Sequence, residues 1–155
     1  MKAPALLAAV ATAAFSFAGA AAAGTCPADQ MRADARTSGV TTPAKVTDTE
    51  LAFVKLDDQI EGLDNRRLRL RRLVVKPGGV VPWHSHTDRP ALIMTLRGAV
   101  TEYRSTCAVP IVHRSGDVVE EVKGVSHWWK NTGDVDAILL AADIKNDAAT
   151  DSADH

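Results

Sequence analysis

Glycine, proline and asparagine residues divide the chain from Glu50 onward into short apolar runs, and this division constrains the fold more than any other feature. None of the runs has the spacing of a long amphipathic helix, in which apolar residues recur every three to four positions. Short runs between turn residues are typical of β-strands in a sandwich or barrel. The predicted strands are 50–56, 65–75, 91–96, 99–103, 108–114, 118–122, 126–131 and 136–144.

The first 23 residues have a different character from the rest of the chain. Lys2 is followed by an uncharged run rich in Ala, Leu and Phe, which ends in small residues. This pattern predicts a secretory signal peptide that is cleaved after Ala23, with a retained membrane anchor as the alternative. The mature protein is therefore expected to be periplasmic or secreted. We divide the chain into a signal peptide (1–23), an N-terminal extension with the first strand (24–64), a barrel core (65–144) and a disordered polar tail (145–155).

Length and charge narrow the range of partners. The mature chain of about 130 residues is long enough for one domain with a sizeable core. The whole chain has 18 basic and 19 acidic residues, and cleavage removes Lys2 from the basic set. Such a balance gives no footprint for nucleic acid or, after cleavage, for an anionic membrane. We expect a small-molecule ligand or substrate as the partner and leave a homodimer open.

Cys26 and Cys107 are the only cysteines in the chain. An exported protein is folded in an oxidising compartment, where two cysteines without competitors tend to pair. We predict a Cys26–Cys107 disulfide that clamps the N-terminal segment to the middle of the domain. The alternative is two buried, unpaired thiols.

The segment 66–72 holds five arginines in seven positions. If it forms a strand, alternation would bury Leu68 and Leu70. The solvated face would then carry Arg67, Arg69 and Arg71, and an anion site is the alternative for this run. Arg72 breaks this alternation, so the strand either contains a bulge there or turns Arg72 inward.

His84 and His86 lie one residue apart in the stretch GGVVPWHSHTDRP. On an extended strand both side chains project from the same face, so the two imidazoles can converge on one ion held against a facing strand. The plain alternative is a pair of surface histidines, because such short patterns also recur by chance.

Two longer patterns surround these histidines. The first runs Gly78-x5-His84-x-His86 and is closed by Gly98. The second follows the pattern G-x7-G-x2-H-x3-N and consists of Gly116, Gly124, His127 and Asn131. Together they resemble the two characteristic motifs of the cupin family. The resemblance implies an all-β, cupin-like jelly-roll barrel with a short N-terminal extension, in which His84, His86 and His127 are metal ligands.

The chain departs from the family at one ligand position. Cupins normally have a glutamate after the histidine pair, and the corresponding positions here are Pro90 and Ala91. A site with three neutral imidazoles leaves a divalent ion its full charge and should favour an anionic ligand. We expect one divalent transition metal, iron or zinc in the first place and manganese, nickel or copper as alternatives.

Three functions are compatible with these observations. The first is an exported three-histidine metalloenzyme of the oxygenase or isomerase type that acts on a small anionic molecule. The second is a non-catalytic periplasmic domain that binds a metal or a small ligand. The third is a cupin that has lost its metal.

Strand alternation predicts on which face the residues near the motifs lie. Parity places Trp129 in the cavity and Trp128 on the opposite face. The cavity wall is expected to include Leu92, Met94 and Leu96. His113 is expected at the surface. We assign no catalytic acid or base. The spacing of the candidates directs none of their side chains toward the metal. These candidates are Glu102, Tyr103, Glu120 and Glu121.

Overall fold

The computed structural model describes residues 24–148, and this part of the chain is almost entirely β-strand. A 3₁₀ turn at Ala28–Gln30 precedes eight strands. They are β1 (Ala44–Lys55), β2 (Arg66–Ser85), β3 (Ala91–Arg97), β4 (Ala99–Arg104), β5 (Ile111–Arg114), β6 (Val118–Glu121), β7 (Ser126–Lys130) and β8 (Ala137–Asn146). Within residues 24–148 no helix has the length and apolar character needed to cross a bilayer.

Antiparallel pairing joins the strands into one sheet in the order β5-β4-β7-β2-β8-β3-β6, with β1 paired to β2. The sheet curls into a nearly closed barrel, in which β3 also contacts β5. The predicted all-β jelly-roll barrel is therefore confirmed. Alternation along each strand turns every second side chain into the barrel. The apolar part of this interior consists of Leu73, Val75, Val81, Val100, Val119, Trp129, Ala137, Leu139 and Ala141.

Strand β2 is longer than predicted, because it continues through Lys76-Pro77-Gly78-Gly79 to Ser85 instead of ending at Val75. The pairing with β1 jumps at this point, from Val75 opposite Val46 to Val80 opposite Ala44. Gly78 has a φ of 74°, which a glycine adopts without strain. A bulge thus absorbs the Pro-Gly-Gly signal, and the strand continues through His84 to Ser85, directly before His86.

The predicted orientation of the arginine run is wrong. Arg69 and Arg71 are buried, at 5% and 7% exposure, whereas Leu68 is 45% exposed. Arg72 is exposed, so the alternation runs through this segment of β2 without a change of parity. The cause is Asp143, which lies inside the barrel on β8 directly opposite Arg69. A buried carboxylate stabilises the inward arginines, which the apolar–polar pattern alone does not reveal.

The predicted inward face of β3 is also wrong. Leu92, Met94 and Leu96 are 55%, 38% and 44% exposed. The inward side chains are those at the odd positions, with Ala91 and Thr95 buried. A shift of one residue moves every side chain of a strand to the other face, and a parity that places Leu92 inside differs from the observed one by such a shift.

The N-terminal segment packs on the outside of the barrel. Cys26 and Cys107 form the predicted disulfide, with their Cα atoms 5.9 Å apart. Further along, a Cβ at Gly39 would come within 2.2 Å of Trp128 and 2.8 Å of Trp83, so only glycine fits between the two indoles. The predicted signal peptide (1–23) and residues 149–155 of the predicted tail lie outside the described residues, and β8 itself extends to Asn146.

Candidate metal centre

The strand register brings the three motif histidines together inside the barrel. His84 lies on β2, His86 directly follows the last residue of that strand, Ser85, and His127 on β7 is the direct cross-strand partner of His84. The Nε2 atoms are 3.0 Å apart for His84–His86, 3.0 Å for His86–His127 and 3.1 Å for His127–His84. His86 and His127 are buried, and His84 is partly exposed. The three rings therefore present one compact triangle of nitrogen atoms.

The opposite nitrogen of each ring is held by a hydrogen-bond acceptor. His84 Nδ1 lies 2.8 Å from the carbonyl oxygen of Pro82, and His86 Nδ1 lies 2.8 Å from that of Arg89. His127 Nδ1 lies 2.7 Å from Glu102 Oε1. Because these partners only accept, each Nδ1 carries the proton and donates it. Each Nε2 is then left with its lone pair directed at the other two, which is the arrangement of metal-binding histidines.

Three lone pairs at this separation repel one another unless a cation lies among them. Nitrogen atoms about 3 Å apart can all reach one divalent ion at the usual distance of about 2.0–2.1 Å. The donor set and its spacing therefore fit a metal ion, and the three residues form one of the clusters in the described chain that could hold one.

The pKa values of the three rings differ sharply. Burial and the neighbouring His127 lower the pKa of His86 to about 3, and they lower that of His84 well below its ordinary value. Burial also opposes protonation of His127, but the carboxylates of Glu121 and Glu102 outweigh it and raise its pKa to about 9. One proton can thus be shared among the three Nε2 atoms, and metal binding would displace it.

Two buried carboxylates lie behind His127. Glu102 Oε1 accepts from His127 Nδ1 at 2.7 Å, and Glu121 Oε1 lies 3.2 Å from the same nitrogen. Glu102 Oε2 accepts from His113 Nε2 at 2.8 Å. Both carboxylates and both histidines are fully buried. Hydrogen bonds from the two histidines lower the pKa of Glu102 against the opposing effect of burial, so it stays ionised and orients both rings.

The sequence did not predict these buried contacts around His127, and the predicted surface position of His113 is wrong. Each of the three missed side chains lies two positions after a buried apolar residue on the same strand. That spacing was the available signal, because residues i and i+2 share a face. The pairs are Val100 and Glu102, Val119 and Glu121, and Ile111 and His113.

Glu102, Glu121 and His127 form a second cluster that could hold a metal among the described residues. We favour an orienting role for it. Arg104 lies 3.6 Å from Glu102 Oε1 and 3.4 Å from Glu121 Oε2, so a cation already balances these charges.

Trp129 Nε1 is also 2.8 Å from His127 Nδ1. It cannot donate there while Nδ1 carries a proton, and the two carboxylates require that proton.

The three histidines line a small cavity of about 20 Å³. Trp129 lines it, as parity predicted, while Trp128 stacks on Tyr103 with ring centroids 4.1 Å apart. At the position of the missing glutamate, Ala91 is buried and Pro90 is exposed. The remaining walls of the cavity are Arg71, Leu73, Val81, Ile93, Leu139 and Ala141.

Comparison with known proteins agrees with this arrangement. A family model described as "Cupin domain" matches residues 71–143. Germin-like protein subfamily 2 member 1 from Arabidopsis thaliana is 35% identical over 86 residues, which are 54% of this chain and 39% of that protein. Nectarin-1 from Nicotiana langsdorffii x Nicotiana sanderae is 28% identical over 88 residues, 55% of this chain and 38% of that protein. The matches thus span about two fifths of these relatives' length.

Solved structures support the fold. A predicted oxalate decarboxylase from Thermotoga maritima superposes with a TM-score of 0.52 at 23% identity, over 70% of this chain and 96% of that one. Oxalate oxidase in complex with the substrate analogue glycolate superposes with a TM-score of 0.50 at 19% identity, over 71% of this chain and 59% of that one. At these identities the likeness establishes the barrel and leaves the chemistry to be argued from the site.

Proposed function

Because this chain belongs to the cupin family, we propose that His84, His86 and His127 bind one divalent transition-metal ion inside the barrel. The observation that carries the proposal is the triangle of Nε2 atoms, all within 3.1 Å, with each Nδ1 engaged by an acceptor. Iron and zinc are our first choices, and imidazole also suits nickel and copper. Manganese remains a further candidate. When bound, the metal would supply Lewis acidity or, for iron, redox chemistry with oxygen.

We further propose that the protein is a small metalloenzyme of the oxygenase or isomerase type that acts on a small anionic molecule. Two structural neighbours, an oxalate oxidase with glycolate and a predicted oxalate decarboxylase, are named as enzymes of small organic acids, which supports this proposal. In this chain the small cavity would admit only a ligand of a few heavy atoms beside the histidines. Trp129, Leu73 and Ile93 would exclude bulk water from it.

A non-catalytic binding domain is the second candidate, and one observation favours it. Among the described residues, the ionisable groups that line the cavity are the three histidines and Arg71. Glu102 and Glu121 do not line the cavity and lie 2.7 Å and 3.2 Å from His127 Nδ1, so they orient the ring and do not offer a proton to a ligand. Turnover of small carboxylic acids under oxygen by the metal-loaded protein distinguishes the enzyme from the binding domain.

Metal content tests the site. We expect about one equivalent of metal in wild-type protein reconstituted with iron or zinc, and loss of that metal in His86→Ala and His127→Ala. His155→Ala is the matched control and should retain the full equivalent. Less than roughly a tenth of an equivalent in the wild type, after trials with all five metals, would show that the three histidines do not form the site.

Glu102→Gln should weaken metal binding by about 10- to 100-fold, the usual effect of removing an outer partner of a histidine ligand. The amide keeps the shape of the side chain but loses the charge that holds the proton on His127 Nδ1. Competition with a chromophoric chelator measures the affinity. Glu120→Gln on the same barrel, where the side chain is exposed, should leave it unchanged. Equal metal affinities in Glu102→Gln and Glu120→Gln would show that Glu102 has no orienting role.

Ala91→Glu should tighten metal binding by at least about 10-fold, because it adds an anionic ligand. Outer partners of a histidine ligand alone change metal affinity by about 10- to 100-fold, and a direct ligand should have no smaller effect. Ala91 is buried and faces into the barrel, whereas Pro90 is exposed. Pro90→Glu therefore serves as the control and should leave the affinity unchanged. The same chelator competition decides, and an effect of Pro90→Glu alone would contradict the assigned parity.

Export and assembly complete the proposal. We propose that residues 1–23 direct export and that the mature chain acts in the periplasm or outside the cell. The Cys26–Cys107 disulfide supports an oxidising compartment. Homodimer formation also stays a proposal, to be checked by light scattering. Residues 65–144 remain the proposed barrel core.

A further inference from the structure

Three buried arginines surround one buried carboxylate next to the candidate metal centre. Arg69, Arg71 and Arg89 are 5%, 7% and 8% exposed, and Asp143 is 1% exposed. Arg69 contacts Asp143 with two hydrogen bonds, of 3.0 Å and 2.9 Å. Arg71 Nη2 and Arg89 Nε lie 3.2 Å and 3.9 Å from Asp143 Oδ2. This buried group therefore carries more positive than negative charge. Partly exposed carboxylates of β1 supply the additional negative charge.

Arg71 is the member of this cluster that lines the three-histidine cavity. Its Nη2 atom faces Asp143, and its Nη1 atom forms a close contact with Asp48. Two carboxylates thus fix the guanidinium in place. Within residues 24–148, the third donor, Nε, is buried and has no hydrogen-bond partner. A buried donor of this kind is costly unless a ligand or a water molecule completes it.

We propose that Arg71 recognises the anionic group of the ligand, and that this ligand is a carboxylate about the size of formate. The inference rests on the proposed metal site and deepens it, since it assigns the substrate class to one residue. The size follows from the cavity of about 20 Å³, which is somewhat more than the roughly 10–15 Å³ that one water molecule needs and limits the ligand to a few heavy atoms. The charge follows from the unused Nε donor of Arg71, which lines the same cavity as the three histidines. A carboxylate could accept a hydrogen bond from this donor and compensate the charge of a divalent ion held by neutral imidazoles.

A merely structural role for Arg71 would have a different consequence. Its ion pairs with Asp48 and Asp143 would then account for the whole side chain, and its replacement would alter stability without altering ligand affinity. The two roles are separated by measuring the melting temperature, metal affinity and anion affinity on the same samples.

Formate binding to the cobalt(II)-loaded protein tests the proposal. The visible absorption of cobalt(II) reports formate titration without any need for turnover. Arg71→Lys keeps the charge and loses the Nε donor, and Arg71→Met loses both. We expect formate affinity to fall by about 10- to 100-fold in each variant, since a hydrogen bond between charged groups is lost. Arg72→Met is the matched control, because Arg72 is exposed on the same strand, and it should leave formate affinity unchanged.

The outcomes distinguish the role of Arg71 from the metal site itself. If the wild type takes up cobalt(II) but formate affinity is the same in Arg71→Lys, Arg71→Met and the control, the assignment of Arg71 is overturned and the metal site stands. If Arg71→Met does not fold, Arg71→Lys decides alone. If the wild type binds cobalt(II) and shows no response to formate, the ligand class is wrong. If no cobalt(II) is bound, the metal site itself fails, and the role of Arg71 fails with it.

Discussion

Asp143→Asn is expected to lower the free energy of unfolding by about 3–5 kcal/mol, the usual effect of breaking a buried ion pair from one side. Asp143 is the carboxylate that Arg69, Arg71 and Arg89 share inside the barrel. Its amide analogue has nearly the same shape, so the loss would come from leaving buried guanidinium groups without their counter-charge. Urea denaturation at pH 7 measures the difference.

Asp147→Asn is the control for this effect. Asp147 forms a 2.8 Å ion pair with Arg67, but its side chain is 41% exposed. Exposed pairs contribute about 1 kcal/mol or less. A similar loss of unfolding free energy in Asp143→Asn and Asp147→Asn would show that the effect at Asp143 does not depend on burial of its charge.

The effect of Asp143→Asn should also depend on pH. Burial alone would raise the pKa of Asp143, but the hydrogen bond and charge of Arg69 and the charges of Arg71 and Arg89 lower it overall. The folded-state pKa therefore lies below the unfolded value of about 3.9. The ionised group stabilises the fold fully above that value, and this contribution is lost as the pH falls through the folded-state pKa. The two proteins should therefore converge in stability only as the pH falls below that folded-state pKa.

Removal of the disulfide should cost about 2–5 kcal/mol, as for native bridges in small exported domains. The bridge joins residues 81 positions apart. Besides the bridge, backbone hydrogen bonds such as Gly24 N to Val112 O and Arg32 N to Thr106 O hold the N-terminal segment to the barrel. The variant Cys26→Ser/Cys107→Ser should therefore melt at a lower temperature and exchange amide hydrogens faster in residues 24–43.

The metal centre should survive that change. Cys107 follows the end of β4, and neither cysteine lines the three-histidine cavity. We expect the same metal content in the double serine variant as in the wild type. Unchanged hydrogen exchange in residues 24–43, or parallel loss of the metal, would contradict the view that the bridge clamps only this segment.

The sequence predicted those features that depend on local pattern. Gly, Pro and Asn signals located the strands, and the fixed spacing of the two motifs brought His84, His86 and His127 together, as the β2–β7 register has them. The spacing works because side chains at i and i+2 share a face, and because His84 and His127 lie on the neighbouring, paired strands β2 and β7.

Features that depend on pairing between distant strands could not be read in the same way. Arg69 and Arg71 point inward because Asp143, more than seventy residues later, lies opposite Arg69. Glu102 and His113 are buried because each satisfies the other across β4 and β5. Rules that place charged side chains outside fail where the compensating partner comes from another strand.

Anomalous diffraction from crystals of the metal-loaded protein tests the central claim most directly. We predict one anomalous peak within about 2.0–2.2 Å of the Nε2 atoms of His84, His86 and His127. A peak between Glu102, Glu121 and the Nδ1 atom of His127, or the absence of any peak in protein reconstituted with all five candidate metals, would contradict it.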